Sequence, residues 1–330
     1  MRCAIVGGGA WGTALGDLLA RNGHDVTLWA REPDVVEAIN VRHENARFLA
    51  GFALAPGMRA SGDLAAVVSK AEFVTFAPPS HVLRIVAREC ARGVSPTATL
   101  AVATKGIEQE TLRIMTEVVA EELPDRPVVA ISGPSFAAEV AARQPTAVVA
   151  ASTIGLAAEI AQQAFSSPVF RVYTHDDVIG VELGGALKNV MAVATGIVEG
   201  LGLGHNSRAA LITRGLAEMT RLGTAIGARA STFAGLAGIG DLVLTCTGAL
   251  SRNRAVGVEI GRGATLEEAL AGKDTVAEGV MNTRSAQALA DREGVEMPIV
   301  TAVHQVLFDG QPARRAITDL MTRELRAEED

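Results

Sequence analysis

Residues 2–12 read Arg2-Cys3-Ala4-Ile5-Val6-Gly7-Gly8-Gly9-Ala10-Trp11-Gly12, and residues 13–21 continue TALGDLLAR. A short apolar run predicts a strand, the glycines a tight turn, and Ala10–Arg21 a helix by its spacing. Gly7-Gly8-Gly9-Ala10-Trp11-Gly12 satisfies GxGxxG. The motif alone is weak, but it sits here directly after a strand and at the opening of a helix, the context it requires. Gly7 permits the turn, Gly9 admits a pyrophosphate close to the backbone, and Gly12 lets helix and strand pack. The helix start then offers free N–H groups and a positive dipole end.

Outward from that unit the first half alternates. Asp25–Ala30, Glu72–Phe76, Thr99–Ala103, Pro127–Ile131, Thr146–Ala151 and Val169–Tyr173 read as strands. Helical stretches are expected at Pro33–Val41, Asp63–Lys70, His81–Cys90, Thr111–Glu122, Ser135–Ala142 and Gly155–Phe165. Alternation of this kind means βαβ units, a doubly wound and mostly parallel Rossmann-like sheet. From about Asp176 the spacing becomes helical throughout, in Val178–Val198, Arg208–Ile226, Arg252–Ile260, Thr283–Asp291 and Met297–Phe308. The expectation is an α/β dinucleotide-binding domain over residues 1–180 and an all-α substrate domain over 181–330.

Composition sets bounds on partners. The 330 residues carry 30 Lys+Arg against 37 Asp+Glu, a net charge of -7, with 48% hydrophobic residues. That is a folded globular balance, and no basic tract points to nucleic acid. No apolar run of about 18 residues predicts a membrane span. Cys3, Cys90 and Cys246 show neither disulfide nor zinc spacing, which fits a reducing cytoplasm, and the six histidines show no metal spacing. The apolar helical half could support a symmetric homodimer.

Candidate site residues follow from position. Arg31 ends the second strand, where an acidic residue would select NAD and an arginine accommodates a 2′-phosphate. NADP(H) is therefore favoured over NAD(H), with Glu32 the competing residue. Only four lysines occur, Lys70, Lys105, Lys188 and Lys273. Lysine can exchange a proton where arginine cannot. Lys105 follows a strand at the carboxyl edge of the sheet, beside Gly106. Ser132-Gly133-Pro134-Ser135 follows the next strand, with Ser132 or Ser135 as helix N-cap. Lys188 lies mid-helix near Gly184, Gly185, Met191 and Thr195, and is either a snorkelling surface lysine or a site group. Ser251 reads as an N-cap that places Arg252 and Asn253 in a first turn suited to phosphate. Asp241 and Glu278 are glycine-flanked carboxylates that turns alone could explain.

The set GGGAWGTALG, WAREP, ATKGIE, ISGPSFAAEV, ELGGALKNVMAVATGI, GLAGIGDLVLTCTGALSRNRAVG and TVAEGVMNT resembles bacterial NAD(P)-dependent glycerol-3-phosphate dehydrogenase. The resemblance runs from Ile5 to about Thr283. It implies reduction of dihydroxyacetone phosphate to sn-glycerol 3-phosphate, the precursor of glycerophospholipids, with no metal. It implies Lys188 as proton donor and acceptor. Lys105, Gly133, Ser135, Asp241, Ser251, Arg252 and Asn253 would contact substrate. Ala10, Trp11, Arg31, Lys105, Ala137, Arg252, Val276 and Glu278 would contact the cofactor. Ala10 departs from the serine that many relatives carry. Lys105 and Arg252 are expected to depress the Lys188 pKa, as is desolvation. A 3-hydroxyacid or 6-phosphogluconate-type dehydrogenase is the alternative, and a non-catalytic dinucleotide-sensing module a more distant one.

Overall fold

The computed structural model describes residues 1–272, 277–325, 327 and 328. Lys273 and Val276, named above, lie outside the described residues. Eight strands form one sheet: β1 (Arg2–Val6), β2 (Asp25–Trp29), β3 (Arg59–Ser61), β4 (Phe73–Phe76), β5 (Thr99–Val102), β6 (Val128–Ser132), β7 (Thr146–Ala151) and β8 (Phe170–His175). Their order is β3-β2-β1-β4-β5-β6-β7-β8, parallel except for the β6–β7 pair. Val6 is in register with Trp29 and Phe76, and Phe76 with Val102. The turns after β1, β2, β4 and β5 therefore open at one carboxyl edge. Chain order reverses at β1, between β2 and β4, which is where doubly wound sheets bind ligands.

Helices cover both faces of the sheet: α1 (Ala10–Arg21), α2 (Pro33–Glu37), α3 (Leu64–Val68), α4 (Leu83–Cys90), α5 (Met115–Glu122), α6 (Ala137–Ala141) and α7 (Gly155–Phe165). After β8 the described regular elements are helical: α8 (Val178–Gly200), α9 (His205–Ala225), α10 (Ala230–Phe233), α11 (Asp241–Thr247), α12 (Arg252–Gly261), α13 (Leu266–Leu270), α14 (Glu278–Glu293), α15 (Pro298–Phe308) and α16 (Ala313–Met321). α8 is long and apolar enough to cross a membrane by composition, yet it is buried from Gly180 to Val198 and forms the axis of this helical core.

α8 and α12 touch through main chain. A Cβ at Gly196 would lie 2.1 Å from the Arg254 carbonyl oxygen, and one at Gly257 would lie 2.1 Å from that of Val193. Gly200 and Gly261 make the same kind of approach one turn on. Two helices with glycines four residues apart can pack backbone to backbone, which no larger residue allows.

The sequence-based elements need several corrections. The helix expected over Thr111–Glu122 begins only at Met115, because Leu112 adopts φ 57 and Ile107 pairs with Ile114. His81–Cys90 splits into a 3-10 turn, Ser80–Val82, and α4. The helix over Thr283–Asp291 extends to Glu278–Glu293. Neither Ser132 nor Ser135 caps α6. Phe136 holds that position, and the Ser135 hydroxyl donates instead to the Gly133 carbonyl. β3, only three residues long, and α11 carried no periodicity strong enough to read.

Candidate active site

The glycine turn is built as its sequence requires. Gly7 has φ 127, and a Cβ there would lie 2.8 Å from the Ala77 carbonyl carbon. A Cβ at Gly12 would lie 2.0 Å from the Gly7 carbonyl oxygen, so α1 packs directly onto the turn. Gly9 has nothing within 4 Å of where a Cβ would point. The buried Trp11 indole nitrogen has no hydrogen-bond partner among the described residues. A tight turn, an open backbone and an unpaired donor fit the pyrophosphate of a dinucleotide.

At the far side of that turn, Glu32 is the N-cap of α2 and Pro33 its first residue. Arg31 is 84% exposed in its side chain and pairs with Glu32 at 3.3 Å. It points to solvent just past the end of β2.

Three elements bring the lysines together. Lys105 follows β5, Lys188 lies in the middle of α8, and Asp241 opens α11. The Lys188 Nζ donates to Asp241 Oδ1 at 2.5 Å and to Thr245 Oγ1 at 2.9 Å. The Lys105 Nζ donates to Asp241 Oδ2 at 2.6 Å and to the Gly133 carbonyl at 3.2 Å. One buried carboxylate thus bridges two ammonium groups. The two glycines before Lys188 make room for this. A Cβ at Gly184 would lie 2.2 Å from the Ala237 carbonyl oxygen, and one at Gly185 would meet the Ser132 hydroxyl at 2.7 Å. Lys188 is therefore buried and bonded, not snorkelling to the surface.

Burial pulls the Lys188 pKa from 10.5 down to about 8, and the Lys105 ammonium adds to that depression. The Asp241 carboxylate opposes both. Arg252, expected to contribute, is not among the groups acting on Lys188; its charge falls on Glu278 instead. A lysine near pH 8 can both give and take a proton at neutral pH.

The second part of the site is the start of α12. Ser251 caps it, its hydroxyl accepting from the Arg254 N–H at 3.2 Å. Arg252 makes no hydrogen bond or ion pair among the described residues. Surrounding protein lowers its pKa although the side chain reaches solvent, and the Glu278 charge works against that. An uncommitted guanidinium at a helix start is suited to an anion. Asn253 is more committed than expected: its amide donates to Asn189 Oδ1 at 2.9 Å, and its carbonyl oxygen accepts from the Gly279 N–H at 2.9 Å. One amide N–H remains for a ligand. Because Asn189 follows Lys188, this chain of bonds ties α8, α12 and α14 together at the site.

Glu278, first residue of α14, accepts from the Ser80 N–H at 3.1 Å and from the Ser80 hydroxyl at 2.5 Å. Burial raises its pKa, while Ser80, His81 and Arg252 favour the ionised form. Ala10 and Ala137 stand at the first positions of α1 and α6. Two residues escaped sequence reading, Thr245 and Ser80. Thr245 lies four residues after Asp241 on α11, a helical spacing that could have flagged it. Ser80 carried no signal beyond following Pro78-Pro79. Among the described residues no group of three His, Cys, Asp or Glu side chains is placed to hold a metal.

Comparison with known proteins places the chain in a family. Residues 2–167 match the family NAD-dependent glycerol-3-phosphate dehydrogenase N-terminus, and residues 177–318 match the corresponding C-terminus. A glycerol-3-phosphate dehydrogenase [NAD(P)+] from Trichlorobacter lovleyi is 53% identical over 332 residues, covering 100% of both chains. The crystal structure of glycerol-3-phosphate dehydrogenase from Coxiella burnetii superposes with a TM-score of 0.94 at 41% identity, covering 97% of this chain and 98% of that one. The yeast glycerol-3-phosphate dehydrogenase structure gives 0.84 at 27% identity, covering 98% and 99%.

Proposed function

Because the chain belongs to the NAD-dependent glycerol-3-phosphate dehydrogenase family, we propose that it interconverts dihydroxyacetone phosphate and sn-glycerol 3-phosphate. It uses NADP(H) or NAD(H), with NADP(H) favoured by Arg31, and serves glycerophospholipid synthesis. The observation that carries this reading is the Lys105–Asp241–Lys188 bridge, tied through Asn189 and Asn253 to the start of α12.

Each residue then has a task. The first-turn N–H groups of α12 and the Arg252 guanidinium hold the phosphate, so binding energy orients the ketone. Lys188 is largely protonated at neutral pH and delivers its proton to the ketone oxygen during reduction. Lys105 adds positive charge where the alkoxide develops. Asp241 holds both ammonium groups and aims them. A bound nicotinamide supplies or accepts the hydride. Gly133 fixes Lys105 through its carbonyl, and Ser135 braces that carbonyl. In this reading Asp241 and Asn253 act mainly by holding other groups, so substrate contact falls on Lys105, Lys188, Ser251, Arg252 and the one free amide N–H of Asn253. Gly7, Gly9, Ala10, Trp11, Gly12, Ala137 and Glu278 line the cofactor side.

The division near residue 180 into cofactor and substrate domains, a cytoplasmic location and a symmetric homodimer complete the proposal. Light scattering checks the dimer. The central test is oxidation of NADPH by dihydroxyacetone phosphate, repeated with NADH and with 3-hydroxyacids run in the reverse direction. Turnover of hydroxyacids without turnover of dihydroxyacetone phosphate would sink the assignment.

A further inference from the structure

Ser80 has no role in the reading above, yet it stands where three site segments meet. It follows Pro78-Pro79 at the carboxyl edge of β4 and is 7% exposed. Its N–H and its hydroxyl each donate to a different oxygen of Glu278, at 3.1 and 2.5 Å. These two bonds join the sheet to the first residue of α14. On its other side, a Cβ added to Gly106 would lie 2.6 Å from the Ser80 Cβ. Ser80 is thus wedged against the loop that carries Lys105. The orphaned Asn282 Oδ1, 3.1 Å from the same added Cβ, closes the remaining space. Serine is the smallest side chain that supplies a hydroxyl donor.

An ionised carboxylate has about four lone-pair sites. Ser80 uses two, one on each oxygen, and two remain. A vicinal diol offers two donors. The half of the dinucleotide this concerns is set by topology. Arg31 marks the β2 side of β1 as the adenosine side, so the crevice beyond β4 takes the nicotinamide half. We propose that Ser80 is a positioning residue that holds the Glu278 carboxylate in the orientation that accepts hydrogen bonds from the ribose hydroxyls of that half. The proposal rests on the cofactor reading given above. The charged and titratable groups facing Glu278 are His81, beside Ser80, and Arg252 on α12, and both favour its ionised form.

The test is direct binding of NADH and NADPH, followed by fluorescence, across pH. Ser80→Ala keeps the backbone bond and deletes the hydroxyl. It is expected to raise Kd for both cofactors by ~2- to 10-fold, because the bond exists before the cofactor binds and only its orienting share enters the affinity. Losing that donor also disfavours the carboxylate, so the acid limb of the binding curve moves to higher pH. Ser80→Cys, close in volume with a weak thiol donor, falls between the two and keeps the test valid if the alanine variant folds poorly. Glu278→Gln loses affinity and flattens the limb. An unchanged Kd in Ser80→Ala overturns the proposal. So does a loss equal at every pH with an unmoved limb, or a Glu278→Gln variant that binds like the wild type. A wild type that binds no dinucleotide removes the cofactor reading as well as this one.

Discussion

Replacing Asp241 by asparagine keeps the shape of the site and removes the charge shared by both lysines. Asp241 is 1% exposed in its side chain, and Lys188 is 10% exposed. Water therefore cannot replace the lost partner. A hydrogen bond to a charged group contributes ~1.5–3 kcal/mol, and 1.36 kcal/mol corresponds to one pKa unit. Lys188, already drawn down to about 8 by burial, moves further toward acid by ~1–2 units. The sign is fixed: Asp241 stabilises the ammonium, so its removal favours the neutral amine. At pH 7 the protonated fraction of Lys188 then falls ~2- to 10-fold. The assay is kcat/KM for dihydroxyacetone phosphate reduction across pH. The wild type is expected to lose activity above about pH 8, where Lys188 deprotonates. In Asp241→Asn that alkaline limb shifts to lower pH, and part of the lost activity returns as pH is lowered. A limb that stays in place, or moves to higher pH, would refute the assignment of the limb to Lys188 and of its control to Asp241.

Other perturbations separate the remaining roles. Lys188→Ala should reduce kcat by ~10²–10⁴-fold, the range of general acid-base catalysis, with cofactor Kd near that of the wild type; a kcat close to wild type would end its role in proton transfer. Arg252→Ala should raise KM for dihydroxyacetone phosphate and lower kcat together, because the phosphate anchor also orients the ketone, and steady-state kinetics unchanged in both would make it a surface residue. For Arg31→Ala, 84% exposure discounts the contribution to that of an exposed ion pair, so kcat/KM with NADPH should fall only up to ~5-fold while NADH is unaffected. Equal losses with both cofactors would show that Arg31 does not read the 2′-phosphate.

How far the sequence could be read depended on how local each signal was. The Gly7–Gly12 turn, its strand and α1 are contiguous, and every residue of that unit stands as expected. Ser251 as the cap of α12 was equally local. The lysine bridge was not: Lys188 meets Asp241 from 53 residues away, and Lys105 meets it from 136. Periodicity places each residue on its element but says nothing of how distant elements converge. Asp241 was therefore found as a carboxylate near glycines while its bridging role stayed hidden, and Asn253 was found without its bonds to Asn189 and Gly279. The misread caps, Ser132 and Ser135, fail locally instead. The Ser135 hydroxyl donates to the Gly133 carbonyl two residues back, and Phe136 takes the cap position.

The glycine contact between α8 and α12 acts as a caliper. Lys188 rides on one jaw, two turns from Gly196, and the start of α12 forms the other, about a turn and a half before Gly257. Because main chain rests on main chain at Gly196, Gly200, Gly257 and Gly261, the opening between Lys188 and the start of α12 does not depend on side chains that can repack. A single added methyl group at the pivot would force the jaws apart and change the distance between Lys188 and the start of α12.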